Sequence, residues 1–193
     1  MGILIYIMNF TEVEMAKIKK IFSRIERFFI YRIDGINSKL YMQLYNRWLK
    51  KEGMQLNESA KYIHHTVQLD GIDYKKIYIG KNVVISRDTL ILIHDFSIEA
   101  GLVALKKGNK NNEARFIKDV FIGDDSFIGA RCVILPGTHI GKNCIVGAGS
   151  ILTSKRYPDY SIIVGNPAKV VGDVREWTKK KIDEDEITYG CII

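Results

Sequence analysis

The sequence predicts a mainly β protein, a solenoid of short strands preceded by helices, and three observations support this prediction. Aliphatic residues recur every six positions from residue 79 onward. Upstream of residue 60 the apolar residues are instead spaced three and four apart, which is typical of amphipathic helices. The length of 193 residues suits one full domain with an extension.

The first sixty residues are predicted to form a helical extension. In the first helix one side is apolar and the other basic: Ile18, Ile21, Phe22, Ile25, Phe28 and Phe29 against Lys19, Lys20, Arg24 and Arg27. A second helix is predicted from Ser38 to Lys51. For the first helix we favour packing on the rest of the fold; the alternative is attachment to an anionic membrane face.

The six-residue repeat defines the solenoid. Its aliphatic positions are Ile79, Ile85, Ile91, Ile122, Ile128, Ile134, Ile140, Val146 and Leu152. Glycine often follows, and four places after the aliphatic residue stands a small or compact one: Val83, Thr89, Ser126, Cys132, Thr138, Cys144 and Ser150. A helix has a period of 3.6 and a half-buried strand a period of two, so neither fits. A single unit cannot bury its apolar residue, and stacking of units therefore builds the core.

Composition and charge exclude several classes of protein. With 47% hydrophobic and 26% charged residues the chain is globular rather than disordered. The apolar opening from Gly2 to Phe10 lacks the flanks of a signal peptide, so a cytoplasmic location is expected. The net charge of +7 is spread without a nucleic-acid-binding module, so no nucleic-acid partner is expected. Cys132, Cys144 and Cys191 form no CxxC pair, which favours reduced thiols and no metal site.

The run FIGDDSFIGARCVILPGTHIGKNCIVGAGSILTS, followed by SIIVGNPAKVV, resembles the hexapeptide-repeat acyltransferases. The preceding stretch, IYIGKNVVISRDTLILIHDFS, is most similar to the O-acetyltransferases that modify capsule, O-antigen and other saccharides. The resemblance implies a left-handed parallel β-helix, an exception to the right-handed crossover rule. It also implies an acetyl-CoA co-substrate, a saccharide acceptor and a homotrimer with active sites between subunits.

The expected organisation follows from this resemblance. Residues 1–60 form the helical extension, residues 61–175 the β-helix and residues 176–193 a C-terminal extension. Three coils of three units each are expected, at residues 79–96, 122–139 and 140–157. Residues 97–120 lack the repeat, and a long insertion of this kind is usually functional or disordered. In the family such a loop protrudes and helps to enclose the active site.

His94 is the predicted general base. It stands at the start of the insertion, where the resemblance places the family's catalytic histidine. Acetyl transfer to a hydroxyl needs a group that takes the hydroxyl proton, and imidazole suits that step near neutral pH. His64 and His65 precede the regular coils, and His139 lies in the GTHIG turn, so structural roles are expected for these three.

A carboxylate partner for His94 is expected, and three candidates remain open. Asp95 is adjacent, although neighbouring side chains on a strand point to opposite faces, so it is equally suited to bracing the turn. Glu113 lies near the position of a glutamate in related sugar acetyltransferases. Asp70 precedes the first regular coil, where it could also face the acceptor.

Direct attack on acetyl-CoA is the expected mechanism, because Cys132 and Cys144 occupy inward positions unsuited to a nucleophile. The resemblance assigns the backbone N–H of Ala130 to the acetyl carbonyl and Gly147 and Ala148 to the pantetheine arm. It assigns the CoA phosphates to Thr153, Ser154, Lys155 and Lys169. Phe127 stands where many relatives carry tryptophan, which contributes to the site in some sialic-acid polymer O-acetyltransferases. Phenylalanine keeps the stacking surface but lacks the N–H donor, which argues against that substrate class.

Three alternative functions stay open. One is acetyl transfer to the amine of an amino sugar. Another is a metal-binding β-helix similar to the γ-class carbonic anhydrases, which His64 and His65 support poorly because adjacent strand residues should diverge. The third is a membrane-associated scaffold that uses the basic helix.

Overall fold

The computed structural model describes residues 12–71, 73–109, 112–184 and 187–188. The apolar segment 2–10 and Cys191 lie outside these ranges. Two helices precede the strands, α1 (Glu12–Ile33) and α2 (Ser38–Lys51). The bounds of α2 are those predicted, and the side chain of Asn37 caps it by accepting a hydrogen bond from the Leu40 N–H at 2.9 Å.

Short strands wind around one axis and form three parallel sheets. Sheet A contains β1 (Gln55–Leu56), β4 (Ile77–Ile79), β9 (Val120–Ile122), β12 (His139–Ile140) and β15 (Arg156–Tyr157). Sheet B contains β2 (Tyr62–Ile63), β5 (Val84–Ile85), β10 (Phe127–Ile128), β13 (Ile145–Val146) and β16 (Ser161–Gly165), with β17 (Ala168–Asp173) added antiparallel to β16. Sheet C contains β3 (Gln68–Leu69), β6 (Leu90–Ile91), β11 (Val133–Ile134) and β14 (Ile151–Leu152). A short 3₁₀ helix (Tyr74–Lys76) precedes β4.

The predicted repeat fills the core of this β-helix. All nine predicted aliphatic positions are buried, and so are the seven small positions. Equivalent residues of successive coils stack directly, as Ile85, Ile128 and Val146 do in sheet B. Burial of one aliphatic side chain per six residues is the main stabilising contribution.

One coil was not predicted, because it begins inside the segment assigned to the helical extension. Strands β1, β2 and β3 form this coil, and α2 covers it. Its apolar residues Leu56, Ile63 and Leu69 are separated by irregular intervals, so the six-residue period is hidden. The buried hydroxyl of Tyr41 in α2 donates to the Ile63 carbonyl at 2.6 Å and fixes the helix to the coil.

The insertion after β6 is partly ordered into secondary structure. Strand β7 (His94–Asp95) leaves the β-helix and pairs antiparallel with β8 (Phe116–Ile117). Between these strands lies α3 (Ser97–Ala104), a helix that the sequence did not predict. At the C-terminal end α4 (Val174–Asp183) follows β17, with the side chain of Asp173 as its cap.

α1 packs on the fold, as favoured from the sequence, but it does so through its other side, and its apolar side faces solvent. Phe22 and Phe29 are 66% and 63% exposed. The opposite side of α1 makes the contact with α2: the Trp48 indole N–H lies 3.1 Å from the Ser23 hydroxyl, and Ile30 is buried. Within the described ranges, no helix combines the length and the hydropathy needed to cross a bilayer.

Glycine is required where successive coils approach each other closely. A Cβ added to Gly123 would lie 2.5 Å from the carbonyl carbon of Gly141 in the next coil. We expect Gly123→Ala to lower the free energy of unfolding by about 1–3 kcal/mol, measured by urea denaturation. Gly35→Ala is the control, because its Cβ would meet nothing within 4 Å. Equal effects of the two substitutions would contradict this packing.

Candidate active site

Asp70 and His94 come together at one end of sheet C. Strands β3 and β6 pair in parallel, so the residues that follow them are neighbours. The Asp70 N–H donates to the Ile91 carbonyl at 2.9 Å, which fixes the backbone at this point. The carboxylate oxygen Oδ2 of Asp70 then forms a short hydrogen bond with Nδ1 of His94. The sequence had left this partner open among three carboxylates.

The pair is buried on one side and accessible on the other. The side chain of Asp70 is only 3% exposed, whereas that of His94 is 23% exposed. Oδ2 of Asp70 also accepts a hydrogen bond from the Ile93 N–H at 3.0 Å, so two donors hold the carboxylate. Asp70 therefore lies against His94 and has little exposed surface with which to face an acceptor, its other predicted role.

This arrangement suits general-base chemistry. A carboxylate on Nδ1 fixes the tautomer of the ring and stabilises the imidazolium that forms when the other nitrogen, Nε2, takes a proton. The ring of Phe96 contacts that of His94 edge to face, with centroids 5.3 Å apart, and restricts its rotation. His94 thus combines partial exposure, fixed orientation and a buried carboxylate.

The other two predicted carboxylates lie elsewhere. Asp95 accepts a hydrogen bond from the Ser97 N–H at 2.7 Å, which lowers the pKa of its carboxyl group and braces the turn into α3. Glu113 is exposed between α3 and β8. The structure therefore brings neither Asp95 nor Glu113 onto Nδ1 of His94.

His64 and His65 form a cluster with Asp34 that the sequence did not predict. Their rings stack with centroids 4.3 Å apart, so the expectation that they diverge is wrong, because both lie in the turn after β2. The carboxylate of Asp34 accepts hydrogen bonds from the Tyr62 hydroxyl at 3.0 Å and contacts Nδ1 of His65 at 2.7 Å. Burial, together with the nearby His65, lowers the pKa of His64.

These three residues are the only group in the described part of the chain whose ligand atoms could converge on a metal ion, within 4.8 Å of one another. Two of their ligand atoms already have hydrogen-bond partners. Nδ1 of His64 accepts a hydrogen bond from the Thr66 N–H at 3.2 Å, and Nδ1 of His65 lies 2.7 Å from the Asp34 carboxylate. His139 has a different environment, since it stacks on Phe121 in sheet A.

The residues expected to bind acetyl-CoA flank sheet C. Ala130 and Ala148 lie in the turns that lead into β11 and β14, and they stack in successive coils: the Gly149 N–H donates to the Ala130 carbonyl at 2.8 Å. Gly147 precedes Ala148 in the same turn. These turns lie at the edge of sheet C where its strands begin.

The expected phosphate-binding residues lie at the other edge of sheet C or beyond it. Thr153 and Ser154 follow β14, at the edge where His94 follows β6. The Lys118 ammonium lies 3.4 Å from the Ser154 hydroxyl, and Lys155 lies over the ring of Tyr157 at 5.0 Å. Lys169 is exposed on β17. In one chain, the residues expected to bind the acetyl group and the pantetheine arm therefore lie where the strands of sheet C begin. Thr153 and Ser154, expected to bind phosphate, lie where these strands end.

Phe127 is placed apart from His94. It lies in β10 on sheet B, where it is 44% exposed between Val84 and Ile145 of the neighbouring strands. The structure does not bring it to the edge of sheet C that carries His94.

A cavity of about 380 Å³ adjoins the Asp70 segment. Leu69 and Gly71, on either side of Asp70, contribute to its wall. The remaining described lining is hydroxylic, charged of both signs or aromatic: Lys20, Ser23, Arg24, Arg27, Trp48, Glu52, Asp73 and Tyr74. The Arg27 guanidinium lies over the Trp48 ring at 5.3 Å. An aromatic surface with charged groups around it can bind a polar ring.

The two described cysteines are poor nucleophiles. Cys132 and Cys144 are buried, and burial raises the pKa of both thiols, so little reactive thiolate is present near neutral pH. We expect peptides containing Cys132 and Cys144 to stay unmodified when the native protein is treated with iodoacetamide and to be fully alkylated after denaturation in urea. Rapid alkylation of either cysteine in the native protein, detected by mass spectrometry, would contradict the burial.

Comparison with known proteins supports the fold and the repeat. Residues 119–154 match the family model described as the hexapeptide repeat of succinyl-transferase. The chain is 31% identical over 130 residues to the galactoside O-acetyltransferase of Lactococcus lactis, covering 64% of this chain and 59% of that protein. It is 36% identical over 110 residues to YvoF of Bacillus subtilis, provisionally named an acetyltransferase, covering 57% of this chain and 52% of that protein.

Solved structures show the same architecture. A galactoside acetyltransferase in complex with coenzyme A superimposes with a TM-score of 0.58 at 21% identity, covering 88% of each chain. The hexapeptide-repeat acetyltransferase VCA0836 of Vibrio cholerae gives a TM-score of 0.57 at 19% identity, covering 86% of this chain and 94% of that one. These structures confirm the predicted left-handed parallel β-helix, and the match over residues 119–154 confirms the resemblance of the repeat to the hexapeptide family. The chain spans a little over half the length of these two curated relatives.

Proposed function

We propose that the chain is an acetyl-CoA-dependent O-acetyltransferase that modifies a hydroxyl group of a saccharide or glycoconjugate precursor. The observation that carries the proposal is the hydrogen bond between Nδ1 of His94 and buried Asp70, at the base of the protruding insertion. The sequence similarity to the galactoside O-acetyltransferase of Lactococcus lactis supports the same reaction class. Because acetyl-CoA is made and used in the cytoplasm, the proposal places the protein there.

The proposed reaction is a direct transfer. Nε2 of His94 takes the proton of the acceptor hydroxyl as its oxygen attacks the thioester carbonyl carbon of acetyl-CoA. A tetrahedral intermediate forms and collapses, the carbon–sulfur bond breaks, and the departing CoA thiolate receives the proton from the His94 imidazolium. Asp70 stabilises that imidazolium throughout. No covalent acetyl-enzyme is required.

The CoA-binding residues belong to the same proposal. The backbone N–H of Ala130 would stabilise the oxyanion, and Gly147 and Ala148 would line the pantetheine arm. Thr153, Ser154, Lys155 and Lys169 would receive the phosphates. The contact of Lys118 with Ser154 adds another cation at that position, which sequence reasoning missed.

A homotrimer would complete the site. His94 and the turns of Ala130 and Ala148 lie at opposite edges of sheet C, so a neighbouring subunit is a natural source of the missing side. The acceptor would enter beside Asp70, where the 380 Å³ cavity offers aromatic and charged groups. Phe127 could contact an acceptor only from a neighbouring subunit or from the far side of the site.

The test measures the release of free thiol from acetyl-CoA with two acceptors that share one sugar ring. One acceptor is a galactoside, which offers only hydroxyl groups, and the other is the corresponding amino sugar. The proposal expects turnover with hydroxyl acceptors and a product that carries an ester. Acetylation of the amine alone would replace the proposal with N-acetyl transfer. If the full-length protein binds no CoA in calorimetry, the acyltransferase proposal fails.

A further inference from the structure

We infer that α1 docks the protein onto an anionic membrane surface. The docking surface is the outer face of α1, which we define as Ile18, Ile21, Phe22, Ile25, Phe28 and Phe29. This inference goes beyond the proposed acetyl transfer and does not depend on it.

The outer face is a continuous apolar stripe. Its residues are three and four apart, so they share one side of the helix. Five of the six are exposed, and Phe28 and Phe29 contact each other edge to face with centroids 5.7 Å apart. Scattered apolar side chains are normal on a protein surface, whereas a contiguous aromatic and aliphatic stripe marks an interaction site.

The outer face is not needed to pack α1 on the protein, because another side of α1 is already buried there. Ser23 and Ile30 are 8% and 6% exposed against α2 and its surroundings. The Tyr31 and Tyr45 hydroxyls lie 3.2 Å apart, and the Ser23 hydroxyl donates to Glu52 at 2.6 Å. These contacts fix the rotation of α1 and hold the outer face away from the body of the protein.

Charge identifies the partner as an anionic bilayer. Along Glu12–Ile33 the sequence has six basic residues, Lys17, Lys19, Lys20, Arg24, Arg27 and Arg32, against three glutamates. The Arg32 guanidinium lies 4.9 Å from the Phe28 ring centre, so a cation borders the apolar stripe directly. Basic residues beside an apolar stripe are the pattern of helices that lie in a membrane interface. Two copies of α1 meeting face to face would instead bring like charges together.

The geometry suits a helix that lies flat. Six basic residues along the helix would make spanning the hydrocarbon costly, whereas in the interface the long side chains beside the stripe, such as that of Arg32, reach the headgroups. Lys20 and Arg24 of the same helix also line the cavity beside Asp70. Ser23 lines it as well, so the cavity lies across α1 from the outer face and stays accessible when that face is docked.

The experiment is co-sedimentation of the full-length protein with vesicles of phosphatidylglycerol and phosphatidylcholine in equal parts. Vesicles of phosphatidylcholine alone are the comparison, and added salt is the second variable. We expect binding to the anionic vesicles, at least tenfold weaker binding to the neutral ones, and loss of binding as salt rises.

Two variants separate the apolar and the electrostatic contributions. Phe28→Ser with Phe29→Ser should lower the vesicle partition coefficient by at least about tenfold, because two aromatic side chains are lost. Lys17→Gln with Lys19→Gln should lower it by roughly tenfold on anionic vesicles only. The matched control is Val171→Ser with Ile182→Ser, which removes two equally exposed apolar residues from β17 and α4 and should leave binding unchanged.

Three outcomes would overturn the inference. One is an absence of binding to the anionic vesicles at low salt by a protein that is folded by circular dichroism. Another is equal binding by the phenylalanine variant and the control. The third is that sedimentation velocity shows the phenylalanine variant to be dissociated while its vesicle binding is unchanged. The outer face would then be an interface between copies of the chain.

Discussion

Replacement of His94 by alanine is expected to lower kcat by about 10²–10⁴-fold while CoA affinity stays unchanged. The variant removes the group that takes the acceptor proton, and nothing in the CoA-binding assignment depends on the imidazole. Stopped-flow thiol release gives the rate, and calorimetry gives the affinity for CoA. Added imidazole should restore part of the lost rate, because it supplies the missing base from solution.

His139→Ala is the matched control for this variant. His139 is also a partly exposed histidine at the start of a strand, but it stacks on Phe121 in sheet A. We expect its kcat to stay within about threefold of the native value, since the substitution leaves the Asp70–His94 pair intact. Comparable losses in both variants would show that histidine removal acts through the fold and not through catalysis.

Asp70→Asn is expected to lower kcat by about 10²–10⁴-fold with little change in KM. An amide keeps the size of the carboxylate but does not stabilise the imidazolium, and its NH₂ group favours the wrong tautomer of His94. Asp95→Asn is the control, because Asp95 braces the turn before α3 without contacting Nδ1 of His94. A larger loss in Asp95→Asn than in Asp70→Asn would reassign the carboxylate partner.

The two substitutions should not be additive. Asp70 acts through the imidazole, so adding Asp70→Asn to His94→Ala should produce little further loss of kcat. A double variant whose loss equals the product of the two single losses would show that Asp70 contributes independently of His94. Urea unfolding of each variant measures the free energy of unfolding. It separates these effects on kcat from the stability lost when the buried Asp70 carboxylate, which accepts a hydrogen bond from the Ile93 N–H, is changed.

The β-helix could be predicted because its repeat is strict. Nine aliphatic positions in phase leave one arrangement in which each of them is buried, and the structure buries all nine. The coil of β1, β2 and β3 escaped prediction because its apolar spacing is irregular and because α2 supplies part of its cover. Short helices such as α3 give too few residues for a period to be read.

The candidate site was predictable in part. His94 could be singled out from its position, but its partner could not, because Asp70 lies 24 residues earlier and meets it only through the pairing of β3 with β6. Aligning Leu69 with Ile91 as equivalent positions of neighbouring coils would have placed Asp70 level with Leu92, two residues from His94. Such an alignment requires the irregular coil to be recognised first.

The orientation of α1 shows a different limit. The sequence contains one evident apolar stripe, and burial of that stripe was the natural expectation. Among the side chains that the structure describes, the buried side instead has a single buried aliphatic residue, Ile30, together with Ser23 and Tyr31. Ser23 and Tyr31 make hydrogen bonds and aromatic contacts with Trp48 and Tyr45. A hydrophobicity pattern does not identify a packing face of this kind.

The most direct test of the proposed mechanism is a single turnover with acetyl-CoA labelled in the acetyl group and a saccharide that supports thiol release. Mass spectrometry of the saccharide and of the intact protein locates the label after the reaction. The direct transfer from acetyl-CoA to a hydroxyl activated by His94 predicts one labelled ester on the saccharide for each CoA released and no label on the protein. Label retained on the protein, or released only as free acetate, would contradict it.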